Sequence, residues 1–198
     1  MDYNDISQRL SKTLSSLNER FDDDVKGKLR FSVSTTTPTS KFFKMEFGGP
    51  SNTVSNKAYI ILYNLASLKD HLKKCFAGKG LDKNIVEETI NNSLHLQILI
   101  DIVNQEKHGY PLTKNRRSGK DPLIKELRER LQLSASTPDS VTAIGVTGTG
   151  EIVHTGDAKM TITGIITDGD GTPLFSLSEL VETCYQNWEQ LATSSGCI

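Results

Sequence analysis

Residues 94–108 read LHLQILIDIVNQEKH, and this stretch decides the fold. Leu94, Leu96, Ile98, Leu99, Ile100, Ile102 and Val103 leave almost no polar side between 94 and 103. A helix that is apolar all round is normally a central, buried one. At about 100° per residue, Ile90, Leu94, Gln97, Asp101, Asn104 and His108 fall within about 80° of one another. One stripe therefore begins apolar and turns polar along its length. Burying a carboxylate, an amide and an imidazole is costly unless each finds a partner. Two readings are open. In the first, a satisfied network ties the helix end to neighbouring elements, with His108 closing the last turn at the negative end of the helix dipole. In the second, the stripe is a site in which His108 shuttles a proton while Asn104 and Asp101 orient it or the substrate. The first is preferred on a single sequence.

Outward from this stretch, the pattern predicts a helix from about 82 to 108, with Asp82 as N-cap, Gly109 just past the end and Pro111 beyond. A preceding helix from about 56 to 77 carries Ile61, Leu65, Leu68, Leu72 and Phe76 as its core stripe, ended by Gly78 and Gly80. The short turn between the two favours an antiparallel hairpin. Ile6, Leu10, Leu14, Leu17, Phe21, Val25 and Leu29 form one stripe of an amphipathic helix over residues 3–30. Residues 32–57 are rich in Ser, Thr, Pro, Gly and Asn and read as a long loop. Phe42, Phe43, Met45 and Phe47 within it need cover, as packed loop or short strand. Asp121-Pro122 reads as the start of a short helix bearing Leu123, Leu127 and Leu131, and 134–140 as a polar linker. Val141–Val146, Glu151–His154 and Met160–Thr167 are β-branched runs punctuated by glycines, which predicts strands. A last helix covers about 176–193, with Leu177, Leu180, Val181, Cys184 and Trp188 inward. The expected fold is mainly α: an up-down helical bundle with a short β-hairpin or three-stranded insert, about 141–175, before the last helix. Residues 1–31 are read as an N-terminal amphipathic helix and 32–198 as the bundle domain.

The chain of 198 residues balances 23 basic against 24 acidic side chains, so no global field draws it to nucleic acid or membrane. Any nucleic-acid contact must come from a local patch, and residues 109–121 supply one. Lys114, Arg116, Arg117 and Lys120 could contact phosphates, or form a solvated basic loop, which is the preferred reading. Cys75, Cys184 and Cys197 are widely spaced without a C-x-x-C pair, which reads as reduced thiols in a cytoplasmic protein. No basic-then-apolar leader opens the chain, and no apolar run approaches the roughly 18 residues of a membrane span. Asp168-Gly169-Asp170-Gly171-Thr172 superficially matches a calcium loop, but Pro173 occupies the place that needs glycine, so a hairpin turn is the better reading. His71, His95 and His154 are scattered without metal-ligand spacing. Neither a metal nor a cofactor is expected.

Residues 68–72 (LKDHL), Val86-Glu87 and residues 101–108 (DIVNQEKH) resemble bacterial HEPN-like proteins of helical-bundle fold. The hallmark of that superfamily is an arginine followed after four to six residues by a histidine, often R-N-x-x-x-H. Its members typically use the pair for metal-independent RNA cleavage across a dimer interface. Asn104 and His108 match this motif, but Val103 stands where the arginine belongs. The arginine would bind the phosphate and stabilise the charge developing in transfer, and valine does neither. The resemblance thus implies a module that binds RNA or a protein partner, with lost or altered nuclease chemistry. The alternative is an active ribonuclease in which His108 is general acid/base, Asn104 positions the phosphate and Arg116 or Arg117 supplies the charge. A structural homodimer built on the N-terminal helix is a third reading, and the resemblance implies a homodimer in any case.

Overall fold

The computed structural model describes the backbone of residues 4–17, 19–20, 29–37, 40–47, 51–109, 116–134, 143–146, 152–155 and 157–198, and the side chains of 6–13, 54–109, 116–130 and 161–198. The described helices are α1 (Asn4–Leu17), α2 (Ser51–Gly78), α3 (Asn84–Asn91), α4 (Leu94–His108) and α5 (Leu177–Ser194). The strands are β1 (Glu19–Arg20), β2 (Leu29–Thr37), β3 (Ser40–Phe47), β4 (Leu123–Ser134), β5 (Ala143–Val146), β6 (Ile152–Thr155), β7 (Asp157–Thr167) and β8 (Pro173–Ser176). The fold is mainly α with a β insert ahead of the last helix. Two compact units divide the chain: Met1–Leu17, Ser55–Leu127 and Thr163–Ile198 form one, Asn18–Val54 and Arg128–Ile162 the other.

In the first unit the core runs along the predicted stripes. Ile61, Leu65, Leu68, Leu72 and Phe76 of α2 are all buried, as are Leu177, Leu180, Val181, Cys184 and Trp188 of α5. From Ile98 to Val103 every residue of α4 is buried, so this helix is the central one. Each aliphatic side chain so buried contributes about 1.5–3 kcal/mol. Gly80, at φ 70°, ends α2 in a Schellman turn: Leu81 N–H donates to the Phe76 carbonyl at 2.9 Å and Gly80 N–H to that of Ala77 at 3.2 Å. The expected single helix over 82–108 is instead two. Ser93 takes an extended conformation between α3 and α4, and its hydroxyl accepts the Leu96 N–H. Asn91, Asn92 and Ser93 are residues whose side chains compete for backbone hydrogen bonds, which is why the break falls there. The N-cap of α3 is Lys83 rather than the expected Asp82, whose carboxylate accepts the Asn84 N–H at 2.9 Å from one residue further back.

Further corrections concern strands. The helix expected over 3–30 ends at Leu17, and Leu29 belongs to β2; Phe21 and Val25 lie outside the described residues. The loop expected over 32–57 is largely an antiparallel hairpin of the second unit, with Val33 opposite Phe43 and Leu29 opposite Phe47. Its β-branched and aromatic content favours a pleated strand over the loop that its Ser and Thr suggest. The short helix expected after Asp121-Pro122 is β4. Leu123, Leu127 and Leu131 are four apart, a spacing that marks one face of a strand as well as of a helix. Within β4, Glu126 sits at φ 54°, a left-handed conformation uncommon for a side-chain-bearing residue. Gly164 of β7 faces this segment: a Cβ there would stand 3.1 Å from Leu127 Cδ2, so glycine permits the close approach.

The predicted strands at 141–175 appear as β5 to β8. The Asp168–Thr172 segment turns β7 into β8, with Asp168 N–H donating to the Thr172 carbonyl at 2.8 Å. The expectation of three reduced thiols is overturned: Cys75 near the end of α2 and Cys197 after α5 form a disulfide spanning 122 residues. Cys184 is free, and burial pushes its thiol pKa far up, which makes it a poor nucleophile. No helix among the described residues is long and apolar enough to cross a membrane.

Candidate functional site

Asp101 is fully buried on α4, and both of its carboxylate oxygens are used. Oδ1 accepts the Arg117 N–H at 3.0 Å, while Oδ2 accepts the Ser118 N–H at 2.9 Å and the Ser118 hydroxyl at 2.6 Å. A carboxylate facing three converging donors is a strong anchor. Asp101 therefore fastens the 116–120 loop to the central helix. Gln105, also buried, donates to Asp121 Oδ1 at 3.2 Å, and Gln97 donates to the Asn91 carbonyl at 2.6 Å across the α3–α4 break. Of the four polar residues of the stripe, Gln97 and Asp101 are thus hydrogen-bonded within the protein.

The loop is held by its charges as well. Arg116 pairs with Asp121 at 3.0 Å and Lys120 with Asp168 at 3.1 Å. Asp168 also accepts the Asp121 N–H at 2.8 Å, and such backbone bonds hold its carboxyl below the usual range. Gly169 lets the two segments meet, since a Cβ there would lie 2.9 Å from Asp121 Oδ2. Arg117 donates through Nη1 to Glu87 Oε2 at 2.6 Å, and Lys73 pairs with the other oxygen of Glu87. Burial alone would raise the Glu87 pKa, but the hydrogen bonds and charges of Lys73 and Arg117 overcome it and bring the value down to about 2. The ionised carboxylate stabilises the fold above its unfolded pKa of 4.5, and that contribution is lost as pH falls toward about 2. Acid titration of wild type should therefore show a stability loss between these values that Glu87→Gln lacks, read as the melting temperature against pH.

Beside this loop lies an open cleft of about 430 Å³, lined by α1, α2, α4 and Arg117. Arg9, Lys69, Lys107 and Arg117 bring four cations to it against one carboxylate, Asp70. Asn64, Asn104, Ser67 and Tyr63 add neutral hydrogen-bonding groups, and Val103 and Ile100 supply an apolar wall. The Lys107 ammonium stands 5.5 Å from the centre of the Tyr63 ring, a cation–π distance. A chain with a net charge of −1 thus gathers an excess of positive charge in one concave place. Such a surface suits an anion able to accept several hydrogen bonds.

The structure distributes the sequence-predicted residues unevenly. Asn104 and Arg117 share the cleft, and Val103, at the position of the family's arginine, lines it too. Asp101 lies beneath the loop, with no free oxygen facing the cleft. His108 is exposed on the last turn of α4 and is not among the residues lining the cleft. Arg116 and Lys120 are committed to carboxylates, and Lys114 lies outside the described residues. Arg9 of α1, Tyr63 and Lys69 of α2 and Lys107 of α4 escaped the sequence reading, because they are spread over three helices with ordinary amphipathic patterns. Among the described residues no group of three or more His, Cys, Asp or Glu is placed to hold a metal ion.

Fold and site together define a mainly helical domain with a cationic cleft against its central helix. Comparison with protein-family models, with curated proteins and with solved structures finds no match in any of the three.

Proposed function

We propose that this chain is a HEPN-like module that binds RNA through the cleft beside α4, with the nuclease chemistry of that superfamily lost. The observation that carries the reading is the convergence of Arg9, Lys69, Lys107 and Arg117 with Asn104 in one concavity. Cations together with amide donors are what a phosphodiester backbone requires. The separation of exposed His108 from the cleft lining supports binding without general acid/base chemistry.

The test is fluorescence anisotropy of a labelled oligoribonucleotide at several salt concentrations. Lys69→Glu/Lys107→Glu is expected to weaken binding at least tenfold and to flatten the salt dependence by about 0.7 per lost phosphate contact, with the melting temperature nearly unchanged. Equal affinity of variant and wild type would remove the cleft from consideration.

One observation favours the second reading, an active metal-independent ribonuclease: Arg117 brings a guanidinium to the cleft that Val103 cannot supply. That reading requires metal-free cleavage by the wild type that disappears in His108→Ala. Intact RNA after incubation with either protein is the outcome expected of a binding module.

A further inference from the structure

We infer that Glu87 is an internal competitor for the Arg117 guanidinium, and that it sets how much negative charge an anion must carry to occupy the cleft. The inference rests on the proposal that the cleft binds phosphate groups. Arg117 lines the cleft, yet its Nη1 is engaged 2.6 Å from Glu87 Oε2 on α3. In the ligand-free protein, part of the cleft's positive charge is therefore already answered by a carboxylate that does not line the cleft.

Two features make this contact exchangeable. First, the Arg117 backbone does not depend on Glu87. Its N–H is held by Asp101 at 3.0 Å, its neighbour Ser118 by the same carboxylate, and the flanking Arg116 and Lys120 by Asp121 and Asp168. The side chain can swing while the loop stays in place. Second, Glu87 keeps a partner when Arg117 leaves, because Lys73 holds its other oxygen. Release of the guanidinium does not strand a lone carboxylate.

An incoming anion must outbid Glu87. An isolated carboxylate offers no more charge than Glu87 itself, whereas a run of phosphates presents adjoining negative groups to the guanidinium and to Lys69 and Lys107 together. The cleft is thereby selective for polyanions over single carboxylates.

The experiment measures binding of a fluorescein-labelled 12-mer of oligouridylate to wild type, Glu87→Gln, Arg117→Ala and the double variant, with acetate as competitor. Glu87→Gln is expected to bind about three- to fivefold more tightly, with a salt dependence steeper by about 0.7 as one more cation becomes available. It should also become more sensitive to acetate. The gain must vanish in the Arg117→Ala background, since a gain that persisted there would reflect only the general removal of negative charge. Glu87→Ala, which removes any residual amide contact with Arg117, should show the same sign. Unchanged or weaker binding by both Glu87 variants, with Arg117→Ala still impaired, would overturn the inference and make Glu87 a support for Arg117. Failure of the wild type to bind, or full affinity in Arg117→Ala, would instead overturn the cleft as the site and the inference with it.

Discussion

Asp101→Ala is expected to lower the melting temperature by roughly 6–12 °C. The carboxylate accepts from Arg117 N–H, Ser118 N–H and the Ser118 hydroxyl, and none of these bonds survives in alanine. Leaving buried donors unpaired costs about 1–3 kcal/mol each, and partial access to water brings the sum to about 3 kcal/mol. For a chain of this length, each kcal/mol moves the transition by roughly 2–4 °C. Asp101→Asn should fall between wild type and alanine, because its one carbonyl oxygen still accepts while its amide opposes a donor. Circular dichroism melts of the three proteins decide this. The stability loss also separates Asp101 from the cleft cations: Lys69→Glu/Lys107→Glu should damage binding without moving the melt, whereas Asp101→Ala should move the melt and then binding through the loop. A melt unchanged by Asp101→Ala would show that the loop is ordered by its ion pairs alone.

Removal of the Cys75–Cys197 disulfide should be comparably severe, with a drop of roughly 5–15 °C in the double serine variant or in wild type treated with reductant. The bond closes 122 residues, and a loop of that order restricts the unfolded chain by up to about 5 kcal/mol, although measured gains commonly fall to about 2–4 kcal/mol. Lys79 donates to the Ser195 and Gly196 carbonyls, and Cys197 N–H to that of Ala192 at 2.7 Å. These contacts keep the last turn near α2 after reduction, so the loss should appear in the global melt while the native fold persists at room temperature. Thiol labelling of the unfolded, unreduced protein should find a single reactive cysteine, Cys184. Three labelled cysteines, with a melt indifferent to reductant, would show that the bond is not made.

Helices α2 and α5 and the buried stretch of α4 were legible because their information is local. A side chain every three or four residues on one face can be satisfied only by a helix lying against a core, and Leu65, Leu72 and Trp188 are where that rule puts them. The reading failed where local signals are degenerate. Leu123, Leu127 and Leu131 satisfy both periods, and only pairing with β7, eased by Gly164, makes that segment a strand. Asn91 and Asn92 look like tolerable interior residues of one long helix until Ser93 caps the next. The Ser- and Thr-rich run before α2 has a loop's composition, but it finds a partner strand in β3.

For the site, residue types and spacing were enough to show that Gln97, Asp101 and Asn104 would need partners on a buried helix, since desolvation penalises an unpaired polar group wherever it comes from. Which partner each takes could not be read along the chain. Asp101 meets a loop 16 residues away, Glu87 meets an arginine 30 residues away, and Cys75 meets a cysteine 122 residues away. The cleft draws Arg9, Lys69 and Lys107 from three helices whose individual charge patterns are ordinary, and joins them to Arg117 of the basic loop. Electrostatic and covalent partners are chosen by distance in space, and in this protein that distance is set by how the helices pack around α4.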